Sequence, residues 1–358
     1  FRVEKLTKEF YGELSDWYFW ALTRVRFPDD MEKNEETRNA TMTIRLVTRL
    51  MFVWFLKQKK LIPDALFDWT AIGSLLNFKD KTCSTYYKAI LQNLFFSTLN
   101  LSAQGDARRF IRRQPGCAYY RYARFFKNEA ACNQFIDLCK NIPFLNGGLF
   151  ENLDRDVDTD TPIRIDGFSN RSDQETRLAI PDDLFFSKEQ IVDLSAFYDD
   201  TKKSAVKVKG LFEILNSYNF TVEENTPYDQ KVALDPELLG QVFENLLASY
   251  NPETKTTARK QTGSFYTPRE IVHYMVDESI VAHLKQTVGA GLEGEYRKLI
   301  GYADESLDLT DAQKSAIVRA LFTCKIIDPA CGSGAFPMGV LQQMVHILNQ
   351  LDPDNTLW

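Results

Sequence analysis

The sequence predicts a mainly α-helical N-terminal part, followed by the beginning of an α/β domain at the C-terminus. Three observations predict it. Long apolar and aromatic stretches keep helical periodicity to about residue 140, the texture changes between 142 and 231, and an apolar run ends in Asp328-Pro-Ala-Cys-Gly-Ser-Gly-Ala335 before an apolar helix. Three segments follow: a helical domain at 1–141, a mixed connector at 142–231, and a helical lead-in with a first strand and helix at 232–358.

In the first segment the stretches Phe10 to Leu22, Ile44 to Leu56 and Tyr86 to Leu99 carry the helices, and Pro28-Asp-Asp, Ile62-Pro-Asp and Gln114-Pro-Gly interrupt them. Proline cannot continue a helix and glycine tolerates unusual backbone angles, so these breaks read as turns. The run Ile44 to Leu56 contains Arg45 and Arg49 and is shorter than the ~20 apolar residues that span a bilayer, so a buried core helix is expected and no membrane partner. Short strands and loops are expected in the connector around Pro143-Phe-Leu-Asn-Gly-Gly-Leu-Phe150. From Asp235 a helix is expected at Pro236 to Leu247, behind an acidic cap and an early proline. The run Leu321 to Ile327 reads as a buried strand that delivers the glycine turn.

Composition narrows the function classes. The 358 residues hold 44 % apolar residues and a net charge of -6, so the chain can fill real cores but is not a cationic nucleic-acid coat. Any DNA contact must come from a local patch. Cys83, Cys117, Cys132, Cys139, Cys324 and Cys331 form no C-x-x-C pair and there are only three histidines, which argues against a zinc site and for reduced thiols in a cytoplasmic protein. Phe1 in place of Met suggests a fragment or a processed chain.

Four segments invite chemical readings. Asp154, Asp156, Asp158 and Asp160 have the spacing of a calcium loop, but Thr159 stands where glycine is required and Ile165 where the bidentate glutamate belongs, so a solvated acidic hairpin edge is expected. Asp182-Asp183 and Glu189 lack the suitably spaced lysine of a nuclease metal site, and a solvated helix start is expected there. Between Ala107 and Asn128, Arg108, Arg109, Arg112, Arg113, Arg121, Arg124 and Lys127 occur without an acid and interleave with aromatics. Such a run can neutralise phosphates, or it can be a solvated helix face. In Thr262-Gly-Ser-Phe-Tyr-Thr-Pro268, Thr267 can cap the following helix while an aromatic meets a planar ring, or the aromatics can simply pack.

The loop from Asp328 to Ala335 turns on Gly332 and Gly334 and aims helix-start amides at a ligand, as anion-binding turns do. A dinucleotide fingerprint wants a third glycine where this chain has Pro337, which disfavours that ligand. Taken together and in order, Thr262 to Pro268 and Asp328-Pro-Ala-Cys-Gly-Ser-Gly-Ala-Phe336 resemble the cofactor motifs of adenine-specific DNA methyltransferases of the gamma class. The lead-in Ala233 to Ala248 and the turn Asn146-Gly-Gly-Leu-Phe150 look like those of large type IIG restriction-modification fusions.

The resemblance implies an α/β, Rossmann-like domain that binds S-adenosylmethionine and serves methyl transfer to the exocyclic amine of adenine in double-stranded DNA, within a restriction-modification or phage-defence system. By position, Phe265, Tyr266, Thr267 and Pro268 would line the methionine and sulfonium side. Asp328, Ala330, Gly332, Ser333, Gly334 and Phe336 would form the loop around the amino-acid moiety, and Cys331 would only pack. These enzymes also carry an Asn-Pro-Pro-aromatic tetrapeptide after the loop, which residues 1–358 lack, together with the acid for the cofactor ribose. The expectation is a portion that does not methylate DNA alone, and the other readings are a methyltransferase for a different substrate or a non-catalytic DNA-binding or scaffold module.

Overall fold

Two long helices open the chain, α1 (Arg2–Leu22) and α2 (Glu35–Gln58). Phe10, Leu14, Trp17, Tyr18 and Ala21 recur at three- and four-residue spacing along α1 and are all fully buried, the pattern that turns one helical stripe toward a core. In α2, the Asn34 side chain accepts the Thr37 N–H at 2.9 Å, and Glu35 and Glu36 complement the positive end of the helix dipole. The computed structural model describes residues 2–79, 83–101, 120–145, 148–156, 159–171, 176–220, 233–234, 267, 269–302, 305–329, 331 and 334–353.

Next come α3 (Trp69–Leu75), helical residues 85–99 (α4) and α5 (Glu129–Cys139). Asp68 and Asn128 cap α3 and α5 by accepting the N–H groups of Ala71 and Ala131 at 2.8 and 2.9 Å. α4 is wound in π-helical turns at Tyr87–Gln92 and Phe95–Leu99, with Gln92, Asn93, Ser97 and Thr98 buried among its aromatics. The 44–56 and 86–99 stretches are thus core helices, and no helix among the described residues is long and apolar enough to cross a membrane.

The chain divides into two units, Phe1–Thr262 and Gly263–Trp358. Residues of the expected connector join the core of the first. There, α6 (Asp183–Phe186) and α7 (Leu211–Asn216) flank the antiparallel pair β1 (Gln190–Val192) and β2 (Val206–Val208), with Ile191 opposite Lys207. Phe212 stacks on Trp54 with ring centroids 5.8 Å apart, and Trp17 donates its Nε1–H to the Leu184 carbonyl at 2.7 Å. A two-residue parallel pair, β3 (Asn219–Phe220) and β4 (Ala233–Leu234), completes the strands described.

Three sequence expectations change. Asp182 and Asp183 do not form a solvated helix start: Asp182 accepts the Thr85 and Tyr86 N–H groups at 3.3 and 2.8 Å and so caps α4, while Asp183 pairs with Arg24 at 3.2 Å. Both are buried because their partners lie far away in sequence. Asp154 is likewise no solvated edge, since its carboxylate accepts the N–H groups of Ile165, Gly167 and Phe168 and pins the hairpin closed by the Arg155–Ile163 bridge. The run Leu321 to Ile327 is not a buried strand. Helix α10 takes it as far as Thr323, residues 324–329 join no ladder among those described, and Ile327 is 89 % exposed, because an extended segment needs a hydrogen-bonded neighbour to hold it as strand.

The second unit is helical: α8 (Arg269–Thr287), α9 (Glu293–Ile300), α10 (Asp311–Thr323) and α11 (Ala335–Leu351) share a core of Val272, Val276, Leu284, Tyr296, Leu299, Ile317, Leu321 and Ile347. Thr310 and Gln313 form a reciprocal capping box at the start of α10. The helix expected at 236–247 lies outside the described residues.

Candidate functional site

α8 and α11 approach each other closely at Gly339. A Cβ there would stand 2.8 Å from Val272 Cγ1, nearer than side-chain atoms approach, so glycine is what lets the two helices meet. This close approach fixes α11 and therefore the turn that precedes it. At that turn Gly334 adopts φ +83° and ψ 15°, the left-handed region open to glycine. Its N–H donates to the Cys331 carbonyl at 2.8 Å, and its own carbonyl receives the Met338 N–H at 3.0 Å to begin α11. Glycine offers no side chain to cap the helix and Pro337 has no N–H, which leaves the Ala335 and Phe336 amides of the first turn to another acceptor.

Asp328 and Phe336 are half-buried on either side of this turn. Both line a cavity of about 310 Å³ with Met275, Ile280, Ile326 and Val340, whose walls are mostly apolar. His283 bridges the neighbouring helices through Nε2 to the Ala320 carbonyl at 3.0 Å. Among the described residues no group of three or more His, Cys, Asp or Glu side chains could hold a metal ion.

The structure thus gathers Asp328, Gly334 and Phe336 around one turn. Thr267 is half-buried just before α8. Phe265, Tyr266, Pro268, Ala330, Gly332 and Ser333 lie outside the described residues. Cys331 is exposed rather than packed. The sequence reading missed Gly339, whose single signal was a glycine inside an otherwise apolar helix.

Of the arginines read as phosphate contacts, Arg108, Arg109, Arg112 and Arg113 lie outside the described residues. Arg121 is only 8 % exposed, and its guanidinium lies over the Phe168 ring at 4.0 Å, a packing position rather than one that meets a phosphate. Arg124 is exposed, and its guanidinium donates to the Asn170 carbonyl at 3.3 Å.

A second buried centre went unread. Arg49 donates to Asp166 at 2.9 Å and to the carbonyls of Leu149 and Glu151 at 2.8 and 3.0 Å, while Arg45 reaches the Gly148 carbonyl at 3.4 Å. Two turns of α2 thereby hold the end of the Asn-Gly-Gly-Leu-Phe150 turn. Arginine inside an apolar run was the available signal, but its partners stand 100 or more residues away.

A helix entered through a left-handed glycine, with an acid and an apolar cavity beside it, suits a small ligand that has both polar and apolar parts. Comparison with known proteins gives that chemistry a setting. The chain is 26 % identical over 321 residues to a protein of Methanocaldococcus jannaschii described as a type II restriction enzyme and methyltransferase. The match covers 86 % of this chain and 21 % of that relative, so the chain spans about a fifth of its length. No family model matches the chain, and no solved structure matches it. The likeness is thus to one segment of a protein whose description joins a restriction enzyme and a methyltransferase.

Proposed function

We propose that residues 1–358 are the helical and cofactor-loop portion of an adenine-specific DNA methyltransferase of the gamma class, in a type IIG-like restriction-modification fusion of the cytoplasm. The observation that carries the reading is the ordered motif pair, with the second motif leading through the left-handed Gly334 into α11. S-adenosylmethionine would supply the methyl group from its sulfonium. Phe265, Tyr266, Thr267 and Pro268 would hold the methionine and sulfonium side, and Asp328, Ala330, Gly332, Ser333, Gly334 and Phe336 the amino-acid side.

Two features support the fit. Among the described residues nothing stands within 4 Å of where a Cβ on Gly334 would lie, which leaves that side of the turn open to a ligand. The apolar cavity also adjoins Asp328 and Phe336, giving a ligand an acid that can orient donors and a surface that excludes water. The base-binding Asn-Pro-Pro-aromatic segment would lie outside residues 1–358, so in this reading methyl transfer and the pocket for a flipped adenine would belong to the intact protein. Double-stranded DNA is the partner in this reading.

The direct test is calorimetric titration of the chain with S-adenosylmethionine, with the Asp328→Ala variant as control. Saturable binding that the variant loses supports the site. Binding of equal strength in both would place the ligand elsewhere.

A further inference from the structure

The Arg121–Lys127 segment is held in an unusual way. Tyr122 stands at φ +66°, in the left-handed region that bulky residues rarely adopt and that persists only where surroundings over-determine it. Those surroundings are explicit. The Tyr122 hydroxyl donates toward Gln92 Oε1 at 2.7 Å or the Gly167 carbonyl at 3.1 Å, and accepts the Ser169 N–H at 3.0 Å. Asn93 takes the Arg121 N–H at 2.9 Å and returns its amide to the Arg121 carbonyl at 2.8 Å, as a strand neighbour would. Asn170 takes the Tyr122 N–H at 2.8 Å.

This latch draws three separate stretches of chain together. On one side the Asn77 N–H donates to the Phe125 carbonyl at 2.8 Å and the Lys127 N–H to the Leu75 carbonyl at 2.9 Å; on the other, Arg124 reaches the Asn170 carbonyl. Each stretch contributes exposed cations: Lys79 follows Asn77 by two residues, Arg171 follows Asn170, and Arg124 and Lys127 stand between. Glu129 is the one exposed acid among residues 120–130. Arg121, the cation that sequence alone would have counted here, is instead spent on the Phe168 ring.

We propose that Lys79, Arg124, Lys127 and Arg171 form a phosphate-binding surface for the duplex DNA backbone, and that Tyr122, Asn93 and Asn170 are the positioning residues that assemble it. The inference rests on the DNA reading above and adds two cations from outside the basic run. Backbone binding releases counterions, so affinity falls with salt at a slope set by the number of phosphates neutralised.

The test is fluorescence anisotropy of the chain with a labelled duplex of arbitrary sequence across a salt series. Replacing Lys79, Arg124, Lys127 and Arg171 by Gln should make the log–log slope shallower by about 3.6, at roughly 0.9 per lost contact. Asn170→Ala, at an exposed position, should remove about one, and Arg124→Lys should keep the wild-type slope. A loss of packing alone would lower the active fraction without changing the slope. If the wild type binds steeply and the fourfold variant keeps its slope, this surface is overturned while the DNA reading stands. If Asn170→Ala keeps the slope, the latch is overturned. If the wild-type chain binds no duplex, both readings fall.

Discussion

Gly334 offers the sharpest test of how the turn is built. At φ +83° a residue with a Cβ meets its own carbonyl, at a cost of about 1–2 kcal/mol for alanine. Among the described residues nothing lies within 4 Å of the added atom, so these neighbours contribute no clash and backbone strain sets the effect. Gly334→Ala should therefore lower stability by about 1–2 kcal/mol in chemical denaturation. Where the chain escapes the strain by leaving the turn, the same energy appears as a roughly five- to thirty-fold weaker Kd for S-adenosylmethionine in calorimetry. Asparagine visits the left-handed region with little penalty, whereas β-branched valine does so least well, so the expected order is Asn, then Ala, then Val. A neutral Gly334→Ala in both assays would refute the strain account, and an Asn variant as damaged as Val would show that crowding, not backbone, sets the cost.

Two further outcomes follow from buried charges. The side chains of Arg49 and Asp166 are 2 % and 0 % exposed, so Asp166→Ala should strand a buried guanidinium and the Leu153 N–H and cost about 3–5 kcal/mol in denaturant unfolding, with the Arg49→Met/Asp166→Leu double variant markedly milder. Asp277 on α8 has its carboxyl pushed above its ordinary value chiefly by burial, with Glu278 adding to the rise and His273 and His346 opposing it. A raised folded-state value means stability present at low pH and lost as pH rises through it, so Asp277→Asn should melt higher than wild type at pH 7 and lose that advantage below about pH 4.

Much of the helical architecture was legible because its signal is local. The stretches Phe10 to Leu22, Ile44 to Leu56 and Tyr86 to Leu99 each fall within one helix, where the repeat of apolar residues over a few turns is signal enough. Where a residue's partner is distant the sequence misled. Asp182 and Asp183 looked solvated, yet the groups that bury them come from α4 and from Arg24. Asp154 looked like a hairpin edge, yet it collects three amides of the returning strand. Leu321 to Ile327 looked like a strand because a short apolar run fits either period, and the helical capping box upstream decides for helix as far as Thr323. At the candidate site the turn at Gly334 was readable from its glycines, but the helix contact at Gly339 that supports it was not, since only Val272 and Val276 across the interface give that glycine its meaning.

Methyl transfer is tested by incubating the gene-encoded protein that contains residues 1–358 with duplex DNA and methyl-labelled S-adenosylmethionine, then digesting the DNA and identifying the labelled nucleoside by mass spectrometry. A gamma-class adenine methyltransferase would put the label on N6-methyladenine, strongly reduced by Asp328→Ala. Label on a cytosine derivative, or incorporation into adenine that Asp328→Ala leaves unchanged, would contradict that reading.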